Sequence, residues 1–178
     1  GAKGFLTRLL ERIDSVRNPD IGDWKNRVAG WKAQYPALKP EYRDEETVNP
    51  YVFVDALAEH ASEDEHFYAD TGCAIAWMMQ GFTFRGNQRA FHAFNNTPMG
   101  YALPAAIGGC LALDKAPVSC LAGDGSMMMN MQGLATIRYH NLPVRIFIIN
   151  NDGYSMVRQT QEQWLDGEFV ASSREGGL

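Results

Sequence analysis

From Asn49 onward, short apolar runs alternate with stretches whose apolar positions recur every three to four residues. Asn49-Pro50 opens the first such stretch with a capping side chain followed by a proline at the first helical position. Val52, Phe53, Ala56, Leu57 and His60 then share one helix face. Phe67 to Ala69 is strand-like and ends at Asp70-Thr71-Gly72. A brief helix is predicted over Ala74 to Met79 and a strand over Ala90 to Phe94, closed by the loop Asn95-Asn96-Thr97-Pro98. Leu103 to Leu113 is a small-residue helix in which Ala105, Ala106, Gly108 and Gly109 allow close packing. Val118 to Ala122 and Val144 to Ile149 are apolar strands, and Met127 to His140 is a helix with Met127, Met131, Leu134 and Ile137 in register. Tyr154 to Trp164 is a final helix. Strands without a polar face, alternating with helices, imply an α/β fold: three α/β/α layers around a mostly parallel sheet.

The first 48 residues have another texture. Phe5 to Val16 could form an amphipathic helix through Phe5, Leu6, Leu9, Leu10 and Ile13. Asn18-Pro19-Asp20, two tryptophans, Tyr35-Pro36 and Lys39-Pro40-Glu41 follow without a period, as in a linker laid over another surface. The expected division is a linker and exit from a preceding domain over residues 1–48, and one binding domain over 49–178. The stretch from Val170 to Leu178 ends on Gly176-Gly177-Leu178 with no closing element, so the domain is expected to be incomplete at its C-terminus.

With 178 residues, 46% of them hydrophobic, the chain suffices for one buried core. A net charge of −5, with Arg85 and Arg89 as the densest basic group, argues against nucleic-acid and anionic-membrane partners. No apolar run approaches spanning length and no signal peptide opens the sequence. Cys73, Cys110 and Cys120 read as reduced core residues of a cytoplasmic protein, and the four histidines are too dispersed for zinc.

The chemistry concentrates between Val118 and Gly153. The first strand delivers Gly123-Asp124-Gly125-Ser126 at its carboxyl end, where open α/β sheets bind ligands. Glycines around Asp124 permit a sharp turn and let backbone N–H groups approach an anion, and the following helix turns its amino end to the same place. The next strand ends in Asn150-Asn151-Asp152-Gly153, and a right-handed crossover would bring Asn151 opposite Asp124. One carboxylate, one amide oxygen and one backbone carbonyl form part of a shell for Mg²⁺, whose remaining ligands come from water and phosphate. Each motif alone is a common turn; the two together at adjacent strand ends favour a metal-held diphosphate. Dinucleotide and nucleoside-triphosphate glycine motifs are absent.

Gly-Asp-Gly, a helix, and a strand ending in Asn-Asn resembles the signature of thiamine-diphosphate enzymes. Asn96-Thr97-Pro98-Met99-Gly100-Tyr101-Ala102-Leu103-Pro104-Ala105-Ala106-Ile107-Gly108 is similar to the cofactor-supporting segment of the acetolactate synthase and pyruvate decarboxylase superfamily. Leu134-Ala135-Thr136 and Asn141-Leu142-Pro143-Val144 extend the resemblance, which covers roughly Pro50 to Gln163. It implies the thiamine-diphosphate-binding fold, with Asp124, Asn151 and the Gly153 carbonyl on Mg²⁺ and Gly123, Gly125 and Ser126 around the diphosphate. Thr97 would offer its carbonyl to the aminopyrimidine, Met99 would prop the bent cofactor, Met156 just past the metal loop would flank the thiazolium, and Tyr154 would also belong to the cofactor site. Core packing is the competing role for both methionines, and the run Met127-Met128-Met129 is assigned to helix packing.

Two departures stand out. Where acetolactate synthases carry Gly-Gln-His, this chain has Gly72-Cys73-Ala74, which leaves backbone donors only. Where they carry tryptophan after the metal loop, it has Thr160. The family's activating glutamate belongs to another domain; Glu59, Glu63 and Glu65 read as solvated positions. The resemblance thus implies the cofactor half of a 2-oxo-acid decarboxylase or carboligase, with no catalytic residue of its own and inactive alone. Its partner would be the pyrimidine-binding domain of a second chain in a homo-oligomer. A non-catalytic binding or assembly module, or the small subunit of a two-subunit decarboxylase, are the alternatives.

Overall fold

A computed structural model of the chain describes residues 1–15 and 20–174. Val16, Asn18-Pro19 and the closing Gly176-Gly177-Leu178 lie outside these described residues. Two compact units are present, Gly1–Pro36 and Ala37–Leu178. The first holds helices α1 (Ala2–Leu10) and α2 (Gly22–Gln34). The second helix corrects the aperiodic reading of this stretch. Asp20 accepts the Gly22 N–H at 2.9 Å beside the helix start, and Trp24 and Trp31 meet edge to face two turns apart. No residue of either helix is buried.

The second unit runs α3 (Pro50–His60), β1 (His66–Ala69), α4 (Cys73–Gly81), β2 (Arg89–Phe91), α5 (Ala102–Ala112), β3 (Val118–Gly123), α6 (Asp124–Met129), α7 (Gly133–His140), β4 (Val144–Ile149) and α8 (Ser155–Trp164). Asn49 caps α3 by accepting the Tyr51 N–H at 2.9 Å, with Pro50 next, as its sequence predicts. Arg85 closes the other end of α3, donating to the carbonyls of Ala58 and Glu59 at 2.6 and 3.1 Å. All strands are parallel, in the order β2-β1-β3-β4.

Alternate residues of each strand face opposite layers. Phe67, Ala69 and Leu121 pack with Val54, Ala58, Met78 and Phe82 of the α3–α4 layer. Tyr68, Cys120 and Ala122 pack with Leu103, Ala106 and Cys110 of α5 and with Met127 and Leu142. The fold is therefore a three-layer α/β/α sandwich. Gly109 earns its place in α5: a Cβ there would stand 1.8 Å from the Tyr68 hydroxyl oxygen.

Three expectations need correction. The helix drawn over Met127 to His140 is two helices, because Asn130 leaves the helical path and donates its amide to the Gly100 carbonyl at 2.7 Å. Of the methionine run only Met127 is buried; Met128 and Met129 are exposed. Glu65 is not solvated. It is buried at the amino end of the sheet, accepting from the Ser119 hydroxyl and pairing with Arg145, the charged residue inside otherwise apolar β4.

Candidate functional site

At the carboxyl ends of β3 and β4 the register pairs Gly123 with Ile149, so Asp124 and the Asn150–Gly153 loop leave the sheet side by side. Asp124 accepts the Gly125 N–H at 2.9 Å on Oδ1 and the Gly153 N–H at 3.1 Å on Oδ2. A carboxylate has about four acceptor positions, so both oxygens keep capacity toward the open side. Asn151 donates its amide N–H to the Ser155 hydroxyl at 2.7 Å, and its Oδ1 accepts no hydrogen bond among the described residues. That bond turns the amide so that oxygen is the group left to spend.

These groups line one open cleft. Its walls include Gly72, Cys73, Ala74, Met99, Gly123, Asp124, Gly125, Ser126, Asn151, Tyr154 and Met156. Two residues singled out in the sequence are not among them. Thr97 is exposed on its loop with φ of 43°, and Gly153 is buried behind Asp124. Thr71, Trp77, Ile149, Ser155 and Val157 complete the lining, and nothing in their sequence context marked them.

The two glycines beside Asp124 differ. At Gly125 a Cβ would lie 2.0 Å from the Tyr154 ring, so only glycine fits. At Gly123 the backbone is ordinary extended chain, and a Cβ would meet nothing within 4 Å. Open space beside a backbone at the cleft wall is room for a ligand.

Two polar residues that the sequence did not flag hold Met99 in the cleft wall. Asp70, fully buried at the end of β1, accepts the N–H groups of Thr71, Gly100 and Ala102 at 2.9, 3.0 and 2.8 Å. Asn130 grips the Gly100 carbonyl from the other side. Position 100 calls for glycine on two counts: its φ is 82°, and a Cβ would come within 2.7 Å of Met129 and Asn130. An aspartate closing an apolar strand and an asparagine inside the helix predicted over Met127 to His140 were the available signals.

Cys73 also departs from expectation. It lies half-exposed at the cleft, its Sγ 3.8 Å from the Met156 sulfur, whereas Cys110 and Cys120 are buried and all three are free thiols. Burial, with Asp70 nearby, pushes the Cys120 thiol up to about 12. No group of three His, Cys, Asp or Glu side chains converges among the described residues. Asp124 would therefore hold a cation only together with amide, carbonyl, water or ligand oxygens.

Fold and cleft together define an α/β domain with an open cleft at the carboxyl ends of parallel strands, the place where open sheets of this kind bind ligands. Residues 70–177 match the family described as thiamine pyrophosphate enzyme, C-terminal TPP binding domain, and the chain belongs to that family. It is 39% identical over 169 residues to the acetolactate synthase large subunit of Pyropia yezoensis, covering 95% of this chain and 28% of that protein. Against the large subunit of Porphyra purpurea it is 36% identical over 172 residues, with 95% and 28% covered. Against the acetolactate synthase isozyme 1 large subunit of Escherichia coli K12 it is 30% identical over 170 residues, with 96% and 30% covered. The chain thus spans less than a third of the length of these curated relatives. No helix among the described residues is long and apolar enough to cross a membrane.

Proposed function

We propose that this chain supplies the diphosphate- and magnesium-binding half of a thiamine-diphosphate-dependent 2-oxo-acid decarboxylase or carboligase of the acetolactate synthase type. One observation carries the reading: Asp124 and the uncommitted Oδ1 of Asn151 stand at neighbouring strand ends on a cleft with open backbone at Gly123. The donor set fits Mg²⁺, which takes oxygen ligands and shares them with phosphate.

Asp124, Asn151 and the Gly153 carbonyl would hold the metal. Gly123, Gly125 and Ser126, with backbone groups of Gly72, Cys73 and Ala74, would receive the diphosphate. Thr97, Met99, Tyr154 and Met156 would support the rings. When bound, thiamine diphosphate supplies the nucleophile and electron sink for breaking and making bonds at the oxo carbon. The protein groups here bind, orient and exclude water; Met99, Met156 and Trp77 give the cleft its apolar wall.

The group that activates the cofactor belongs, on this reading, to a pyrimidine-binding domain of a second chain in a homo-oligomer, so this chain alone is inactive. Residues 1–48 serve as the exit from a preceding domain, and the enzyme works in the cytoplasm. Cys73 and Thr160, where synthases carry other residues, point to a substrate other than that of acetolactate synthase.

Asp124→Ala in the complete protein is expected to abolish Mg²⁺-dependent binding of thiamine diphosphate in a calorimetric titration. Binding unchanged from wild type in the presence of Mg²⁺ would refute the metal assignment.

A further inference from the structure

We infer that Gln161 is a positioning residue for the metal loop, acting through a backbone strap that folds over that loop; the inference rests on the magnesium reading above. After α8 the chain turns at Asp166 and Gly167, whose φ values are 49° and 78°, and runs back toward the start of the helix. There Ser172 accepts the Tyr154 N–H at 3.0 Å, and Ser173 forms an antiparallel bridge with Gly153. The approach is close enough that a Cβ on Gly153 would sit 2.6 Å from the Ser172 carbonyl oxygen. Ser172 is fully buried, whereas Asn150, Asn151 and Asp152 are exposed. The metal loop is therefore packed at Gly153, and the strap is what packs it.

Gln161 holds the strap with both halves of its amide. Its Oε1 accepts the Ser172 hydroxyl at 2.5 Å and its Nε2 donates to the Val170 carbonyl at 3.0 Å. Arg174 adds a surface pair to Asp152 at 2.9 Å, but both partners are mostly exposed and contribute little. Removing the Gln161 amide leaves the buried Ser172 hydroxyl without its acceptor, a cost that loosens the strap, while the carbonyl of exposed Val170 turns to water. The loosening would reach Gly153, whose N–H orients Asp124 and whose carbonyl is assigned to the metal. Partners that orient metal ligands typically change metal affinity by tenfold or more when removed.

The test is a Mg²⁺ titration at saturating thiamine diphosphate in the complete protein, paired with hydrogen exchange at the Tyr154 amide. Gln161→Met is expected to weaken Mg²⁺ binding about tenfold and to speed Tyr154 exchange. Gln161→Glu, which keeps an acceptor for Ser172, should recover most of the affinity, and the exposed neighbour variant Gln159→Met should match wild type. Ser172→Ala should weaken Mg²⁺ binding in the same direction, and combining it with Gln161→Met should add nothing; it carries the test if Gln161→Met does not fold. Faster Tyr154 exchange with unchanged Mg²⁺ affinity would overturn the inference, as would additive losses in the double variant. Wild-type protein that binds no Mg²⁺ with thiamine diphosphate would overturn the magnesium reading itself and the inference with it.

Discussion

The two ends of the sheet each carry a carboxylate, and they use it in opposite ways. At the amino end Glu65 is fully buried, and its oxygens are taken by the Ser119 hydroxyl, the Arg145 guanidinium and, at 3.3 Å, the Ser62 N–H. At the carboxyl end Asp124 meets two N–H groups and still faces an open cleft beside Asn151. A buried polar group with every partner in place holds structure together; one that keeps acceptor capacity on an open wall is available to a ligand. Asp70 shows that position along the strand is not sufficient. It too ends a strand at the carboxyl side, yet three backbone N–H groups consume it, and its effect on the cleft passes through the loop bearing Met99.

The sharpest way to break this contrast is to delete the amino-end carboxylate. Glu65→Ala should cost about 3 kcal/mol, near the low end for breaking a buried pair because Arg145 is half in solvent. Urea unfolding measures it, and Asp124→Ala is expected to cost less; equal losses for the two variants would erase the distinction. Asp70→Asn comes next. The amide nitrogen cannot accept, so one backbone N–H loses its partner, and a loss of about 2 kcal/mol is expected. Thiamine diphosphate binding should weaken without disappearing, since Asp70 holds the Met99 loop rather than the ligand. The smallest effect concerns His66, whose imidazole is held below its usual range by burial and then by Arg89. A depressed histidine favours folding fully above its unfolded value of about 6.5 and loses that contribution as pH falls through the folded value. Urea midpoints should therefore decline on acidification below that range, and His66→Gln should flatten the decline.

Most of the cleft's lining was legible because its residues sit at strand ends, where an apolar run stops. Two short motifs singled out Asp124 and Asn151, which line one cleft with Gly72, Cys73, Ala74, Met99, Ser126, Tyr154 and Met156. Two misses share a cause: they depend on partners far away in sequence. Glu65 looked solvated because Ser119 and Arg145, its partners, lie on other strands. Asn130 breaks a helix for the sake of Gly100, a contact no periodicity reveals. Conversely α2 was overlooked because none of its residues is buried, so no apolar stripe marked it. Cys73 was read as core by its apolar neighbours, but Gly72, with φ of 78°, turns the chain so that the residue opens α4 at the cleft.

The central claim is that the carboxyl end of the sheet holds a diphosphate through a metal. Its most direct test is calorimetric titration of thiamine diphosphate into the complete wild-type protein, once with Mg²⁺ and once with the metal chelated. Saturable heat with Mg²⁺ and none without it is the predicted result; no saturable heat in either condition, or equal binding in both, would contradict it.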